Sequence, residues 1–235
     1  GNYSFTALTN ANQTAFAVNS GSLGLPILTT LSNGSLTLSG GATANAPVLS
    51  NINGSSLLVN GGVTLSLPAV TNYVGTGGAT ATLRASGAGS VLNLSNVINV
   101  DFSFAHNNAL QIEAQTGGKV DLRRVTQISD ETVNAARRAD ITADGAGSSV
   151  DLSALVNFLD NSAWDTTWNS SLTVKNGGSI TAPVLTTLKG VNVTLDGSGS
   201  LAIGNWINWT EGVATLSGGN YSFTALTNAN QTAFA

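Results

Sequence analysis

Ionisable side chains are scarce in this sequence, at 9% of residues, so the few that cluster stand out. The densest group is Lys119, Asp121, Arg123 and Arg124, with Asp151 at the matching place one period further on. A carboxylate beside a basic partner is what a polysaccharide lyase or hydrolase uses for proton transfer, sometimes with calcium. A second group gathers the only histidine, His106, with Asp130, Glu131, Arg137, Arg138, Asp160, Trp164, Asp165 and Trp168. Trp164 and Trp168 are four apart and could offer stacking faces to a sugar ring, as could Trp206 and Trp209. Each has a plainer structural explanation. Asp121 and Asp151 alternate with apolar residues, so they point outward from a strand, stack on one another and find Arg123 or Arg124 as surface ion partners. Trp206 falls on an apolar template position and belongs to the core; Trp209 is open to either reading. The ligand- or partner-contact candidates are therefore Trp164, Trp168, Arg137, Arg138 and His106, and no residue is assigned to catalysis.

The elements that carry these residues follow from two periodicities. Residues Gly1–Ala17, GNYSFTALTNANQTAFA, return unchanged as Gly219–Ala235, an offset of 218. The expectation is one complete tandem repeat, 1–218, followed by the start of the next, 219–235. Within it runs a shorter period. Its mark is an apolar–x–apolar–x–x–apolar cluster such as LGLPIL (Leu23–Leu28), LSLPAV (Leu65–Val70), VDLSAL (Val150–Leu155) and ITAPVL (Ile180–Leu185). Clusters open at residues 3, 23, 44, 65, 92, 120, 150, 180, 201 and 221, which gives nine coils of 20–30 residues per 218-residue repeat.

Each coil also holds an alternating stretch that ends at a glycine corner, as in SLTLSGG (Ser35–Gly41) and SLTVKNGG (Ser171–Gly178). Leu36 and Leu38, Leu57 and Val59, Leu172 and Val174, and Val193 and Leu195 each share one face of a strand. Glycine then supplies the positive φ of a sharp corner. Short strands and glycine corners at a fixed period describe an all-β chain, a parallel β-solenoid (β-helix) whose coils bury their apolar faces against one another. Prolines 26, 47, 68 and 183 share the fourth place of the cluster, which marks a bend where no backbone donor is needed.

Between the cluster and the alternating stretch, four consecutive coils carry insertions: coils 3–6, counting the coil that opens at Leu23 as the first. These insertions stack at one corner and hold most of the second ionisable group, and such one-sided insertions commonly form a binding face. Ser129 to Arg138 reads as a short helix, with Ser129 as N-cap, acids in the first turn and arginines in the last. There is no GGxGxD calcium motif, no recurrent Thr-x-Thr, and only the scattered pair Asp144 and Asp196 beside glycine corners, so neither a metal nor any other cofactor is expected.

Charge and cysteine use narrow the partners. The formal net charge of −4 leaves no basic stripe, so nucleic acid is not an expected partner. Cysteine is absent, which rules out disulfide stapling, and no membrane-spanning run or signal peptide is present in the segment. In its LxLPxL clusters, SLTLSGG strands and coils near twenty residues, the whole chain resembles bacterial β-solenoid surface and fibre proteins. The nearest types are filamentous-haemagglutinin-like adhesins and giant repetitive extracellular proteins. That resemblance implies an exported, right-handed parallel solenoid at the cell surface, acting as a filament or adhesin stalk. The identical junction at 218 residues makes the chain its own expected partner, end to end, and an identical active site in every repeat is an odd way to build an enzyme, so none is expected. A carbohydrate-binding β-helix, touching surface glycans through the enlarged corner loops, is the competing expectation.

Overall fold

The computed structural model describes residues 1–130, 136–161 and 168–235. The cluster motif explains itself at once as backbone geometry. Its first residue points inward from a three-residue strand, its third opens a β-turn, and its sixth closes that turn. In all ten coils the sixth residue's N–H donates to the third residue's carbonyl, from Leu8→Phe5 to Leu226→Phe223, at 2.9–3.4 Å. Pro26, Pro47, Pro68 and Pro183 occupy the second place of this turn, where a fixed φ fits and no N–H is needed. First, third and sixth positions all face the interior, which is why three apolar residues recur at that spacing.

Each coil has three sides, and the strands of each side stack in parallel on the coil before. The first face comprises a three-stranded sheet from Asn2–Ser4 to Thr43–Asn45 and a six-stranded sheet from Thr64–Ser66 to Ser200–Leu201. The third face is one sheet of ten strands, from Ala15–Val18 to Ala233–Phe234. Its alternation matches expectation: Leu36, Leu38, Leu57, Val59, Leu172, Val174, Val193 and Leu195 are all buried.

The second face is the element that the sequence periodicities do not announce. It runs through Asn10–Asn12 and Thr30–Ser32, then from Asn72–Val74 to Asn208–Thr210. These strands are so short that most send one side chain inward, among them Leu31, Tyr73, Val100, Ile128, Phe158, Leu188 and Trp209. A single inward residue leaves no period-two signature. Burial of Tyr73 against this core pushes its phenol pKa upward, and its hydroxyl donates to the Ser55 carbonyl at 3.3 Å.

Register is strict across coils: Phe16, Leu36 and Leu57 form one inward column of the third face, continued by Leu83, Ile112, Ile141, Leu172, Val193 and Ala214. Stacked aliphatic columns of this kind bury each coil's apolar face on its neighbours, so stability accumulates along the rod.

Candidate functional site

The insertions do fall at one corner, between the second and third faces, just before the strands Ala81–Ser86, Asn108–Gln115, Arg137–Asp144 and Ser170–Lys175. Of the residues expected there, Trp164, Glu131 and Asp165 lie outside the described residues. The short helix from Ser129 to Arg138 is corrected at both ends. Ser129 and Asp130 close the strand Gln127–Asp130, and Arg137 and Arg138 open the strand Arg137–Asp144. Parallel pairing to the coil before (Ser129 on Asp101, Arg137 on Asn108, Arg138 on Ala109) holds these residues extended, and this overrides a local charge pattern worth only tenths of a kcal/mol, ~0.3–1.

Strand alternation separates the two arginines. Arg137 turns inward, is buried, and brings Nη1 to 3.5 Å from Asp130 Oδ1, which also accepts from Ser103 Oγ at 3.0 Å. Arg138 turns outward, donates through Nε to Asp140 Oδ2 at 2.7 Å, and lays its guanidinium 5.0 Å over the Trp168 ring. His106 is exposed on the turn ahead of Asn108–Gln115, two residues before Asn108, the register partner of Arg137. Of the described candidates, Arg138 and Trp168 meet, Arg137 turns inward from the same strand, and His106 is exposed on the turn of the neighbouring coil.

Around them is a polar network in which Asp130 and Asp160, named from the sequence, are joined by Ser170, Asn161 and Asn169, which were not. Asp160, buried at the end of strand Asn157–Asp160, accepts from Ser170 N at 2.9 Å and Ser170 Oγ at 2.7 Å; Ser170 Oγ in turn accepts from Ala139 N at 2.9 Å. Asn161 Nδ2 donates to the Asp130 carbonyl at 3.0 Å, and its Oδ1 accepts from Lys189 Nζ at 3.2 Å. Asn169 Nδ2 donates to the Glu211 carbonyl at 2.7 Å. Every one of these bonds joins the widened corner to a neighbouring coil or closes the corner on itself. Their chemistry is structural: they hold buried polar groups where the apolar columns give way, and Asn169 Oδ1 is left without a partner among the described residues.

The Lys119–Arg124 constellation is likewise a corner device. Asp121 and Asp151 pair in register on the first face and point outward, as expected. Each closes an Asx turn onto the residue two ahead: Asp121 Oδ1 accepts from Arg123 N at 3.2 Å, Asp151 Oδ1 from Ser153 N at 3.0 Å. Arg123 Nε donates to both Asp121 oxygens at 2.9 and 3.0 Å, which raises the guanidinium pKa. Arg124 reaches instead to Asn96 Oδ1, at 3.4 Å. Asp196 makes the same turn to Ser198, and hydrogen bonds from Ser198 and the Asn176 N–H lower its pKa. Asp144 faces Lys175 at 3.3 Å rather than Asp196. Among the described residues no group of three His, Cys, Asp or Glu side chains is placed to hold a metal.

The tryptophans settle differently. Trp206 and Trp209 are fully buried with ring centroids 5.3 Å apart, and Trp209 Nε1 donates to the Val191 carbonyl at 2.9 Å. They form a seat for the returning segment. Phe223 packs 5.9 Å from Trp206 and 5.7 Å from Trp209, and Phe234 packs 5.5 Å from Trp209. Phe223 and Phe234 meet each other at 5.7 Å and 73°; their sequence twins Phe5 and Phe16 meet at 6.0 Å and 64°. Backbone ladders cross the seam on two faces: Trp209 N donates to Asn228 O at 2.9 Å, Glu211 N to Asn230 O at 3.0 Å and Ala233 N to Gly212 O at 3.0 Å. Gln13 and Gln231 share the same left-handed backbone, φ 51° and 56°. The first face does not cross the seam as a ladder. It ends at Ser200–Leu201, and Asn220–Ser222 lies beyond a groove of about 580 Å³.

These features define the class: an all-β, parallel β-solenoid with a polar, hydrogen-bonded corner and an aromatic seam. Comparison with known protein families, curated proteins and solved structures returns no match to the chain.

Proposed function

We propose that the chain is a structural segment of an extracellular filament or adhesin stalk, built from tandem solenoid repeats that continue coil upon coil. The observation that supports this most is the seam: the seventeen residues that begin the sequence return after 218 residues and are received on Trp206 and Trp209 as the next coil. The returning coil uses the same turn, the same aromatic pair and the same positive-φ glutamine as its first occurrence. A continuing solenoid also needs few charges, because its coils bury one another and its outer positions need only polar side chains, in keeping with the 9% charged content. The one described tryptophan outside the core, Trp168, is partly buried and covered by Arg138, which weighs against sugar stacking at that ring.

The test is a chain carrying two full periods. Hydrogen exchange at the seam strands Asn208–Thr210 and Val213–Leu216 should then equal that of mid-rod strands, because both faces of the seam are covered. Seam strands that exchange as fast as free ends in the two-period chain would remove the proposal.

A further inference from the structure

The β-turn that makes every coil leaves two outward positions on the edge between the first and second faces, the cluster's fifth residue and the residue just after its sixth. This edge holds Ile27, Val48, Ile98, Val156, Val184 and Ile207, each 38–45% exposed. They are all the exposed large apolar side chains of the described residues outside the first and last coils. The edge is tied from coil to coil, because the N–H of the residue after the cluster donates to its counterpart's carbonyl one coil back. Examples are Ile98→Thr71 at 2.8 Å, Val156→Thr126 at 2.9 Å and Ile207→Thr186 at 2.8 Å. The fold does not require apolar side chains there: Thr29, Thr126, Thr186 and Thr227 hold the same position in the same ladder. At that position Ile98, Val156 and Ile207 thus stand where other coils carry threonine, and at the cluster's fifth position Ile27, Val48 and Val184 stand where other coils carry alanine, asparagine or arginine.

We propose that this edge is a self-docking surface, on which two copies of the chain lie antiparallel, ridge against ridge. Three features select a second copy as the occupant. Both ridges share one period, about 4.8 Å per coil, so side chains on the two rods fall into step along their length. In a chain of net charge −4, the two outward columns carry no carboxylate and a single cation, Arg124, so this edge is where two copies approach without acid facing acid. The third feature is the order of the residues. An antiparallel two-fold between the coils of Leu92 and Val120 sets Val48 against Val184 of the other copy and puts Ile27 and Ile207 in one layer. It also sets Arg124 against Asn96, whereas a parallel pair would hold both Arg124 side chains in one layer. The contact is narrow. Ten coils at about 4.8 Å and a width of about 10 Å give roughly 480 Å² per copy, below the ~800 Å² of a standard interface. Pairing of single chains is therefore weak, and strengthens where ridges repeat in tandem.

The absence of cysteine makes the test clean. Val48→Cys and Val184→Cys chains are mixed at high concentration and oxidised, with Ala88→Cys, on the exposed glycine corner between the third and first faces, as the control. The Val48/Val184 mixed product should exceed either self-product and the control by about tenfold or more, since identical ridge positions sit about 24 Å apart in the antiparallel pair. All three sites are exposed, so folding is unaffected. Sedimentation equilibrium gives a second readout, in which Val156→Glu should weaken association by about tenfold or more. Ridge cysteines that crosslink no better than Ala88→Cys, or Val48→Cys chains that crosslink chiefly to themselves, would each overturn the proposal.

Discussion

Replacing Trp209 with alanine probes how this rod distributes its stability. The ring is fully buried, touches Trp206, Phe223 and Phe234 within 5.3–5.7 Å, and bonds the Val191 carbonyl at 2.9 Å. Truncation of a buried tryptophan costs about 3–5 kcal/mol, and the carbonyl left without its donor accounts for about 1–3 kcal/mol of it. A solenoid couples each coil to its neighbours alone, so the loss should stay local. Hydrogen exchange read strand by strand should show protection falling by about 4 kcal/mol in Thr187–Lys189, Val191–Leu195, Asn208–Thr210 and Val213–Leu216. Strands from Ser35–Leu38 to Asn108–Gln115 should change by less than ~0.5 kcal/mol. Trp209→Phe keeps most of the packing and loses the indole donor, for about 1–2 kcal/mol in the same strands. An equal loss along the whole rod would refute nearest-neighbour coupling, and no loss at the seam would refute the seat itself.

Other outcomes follow from the same geometry. Leu152→Asp places a carboxylate in a fully buried column and should cost more than about 4 kcal/mol by denaturant titration, while Asp151→Ala, which loses one half-buried Asx turn, should cost about 1 kcal/mol. Gly212→Ala should weaken the seam, because a Cβ there would lie 2.4 Å from both Trp209 Nε1 and the Val191 carbonyl; a melting temperature equal to wild type would contradict that close approach. Tyr73 holds its proton more tightly folded than unfolded, so its stabilising effect is complete below the ordinary phenol value of 10.0 and drains away as pH rises past it. Tyr73→Phe should therefore flatten the alkaline fall in stability between pH 9 and about 11.5, and an unchanged slope would show that this phenol does not titrate on unfolding. His106→Ala should shift the denaturant midpoint by no more than the equivalent of ~0.5 kcal/mol.

What could be read from sequence divides along physical lines. Glycine corners, the proline-bearing turn and the third-face alternation were legible because each repeats a local backbone demand coil after coil. The second face was missed because a strand with one inward residue has no period of its own. Its signal was a constant spacing instead: the inward residue falls three after the cluster's last, as in Leu28 to Leu31, Val70 to Tyr73 and Trp206 to Trp209. That spacing would also have placed Trp209 in the core. The helix expected from Ser129 to Arg138 gives way to strand at both its ends because terminal charges bias a helix weakly, whereas Arg137–Asp144 pairs along its full length with Asn108–Gln115. Arg137 and Arg138 looked like a pair in sequence, and a strand sends neighbours to opposite sides. The exposed edge escaped notice for a similar reason, since no sequence period separates an outward valine from an inward one until the turn is known.

The central claim is that coil stacking continues past Gly219 into the next repeat, carried by the second and third faces, and the most direct measurement is cryo-electron microscopy of the native assembly. The account predicts unbroken rod density with an axial repeat near 43 Å, nine coils at about 4.8 Å each. Discrete particles that end at each 218-residue period, with no density across the seam, would contradict it.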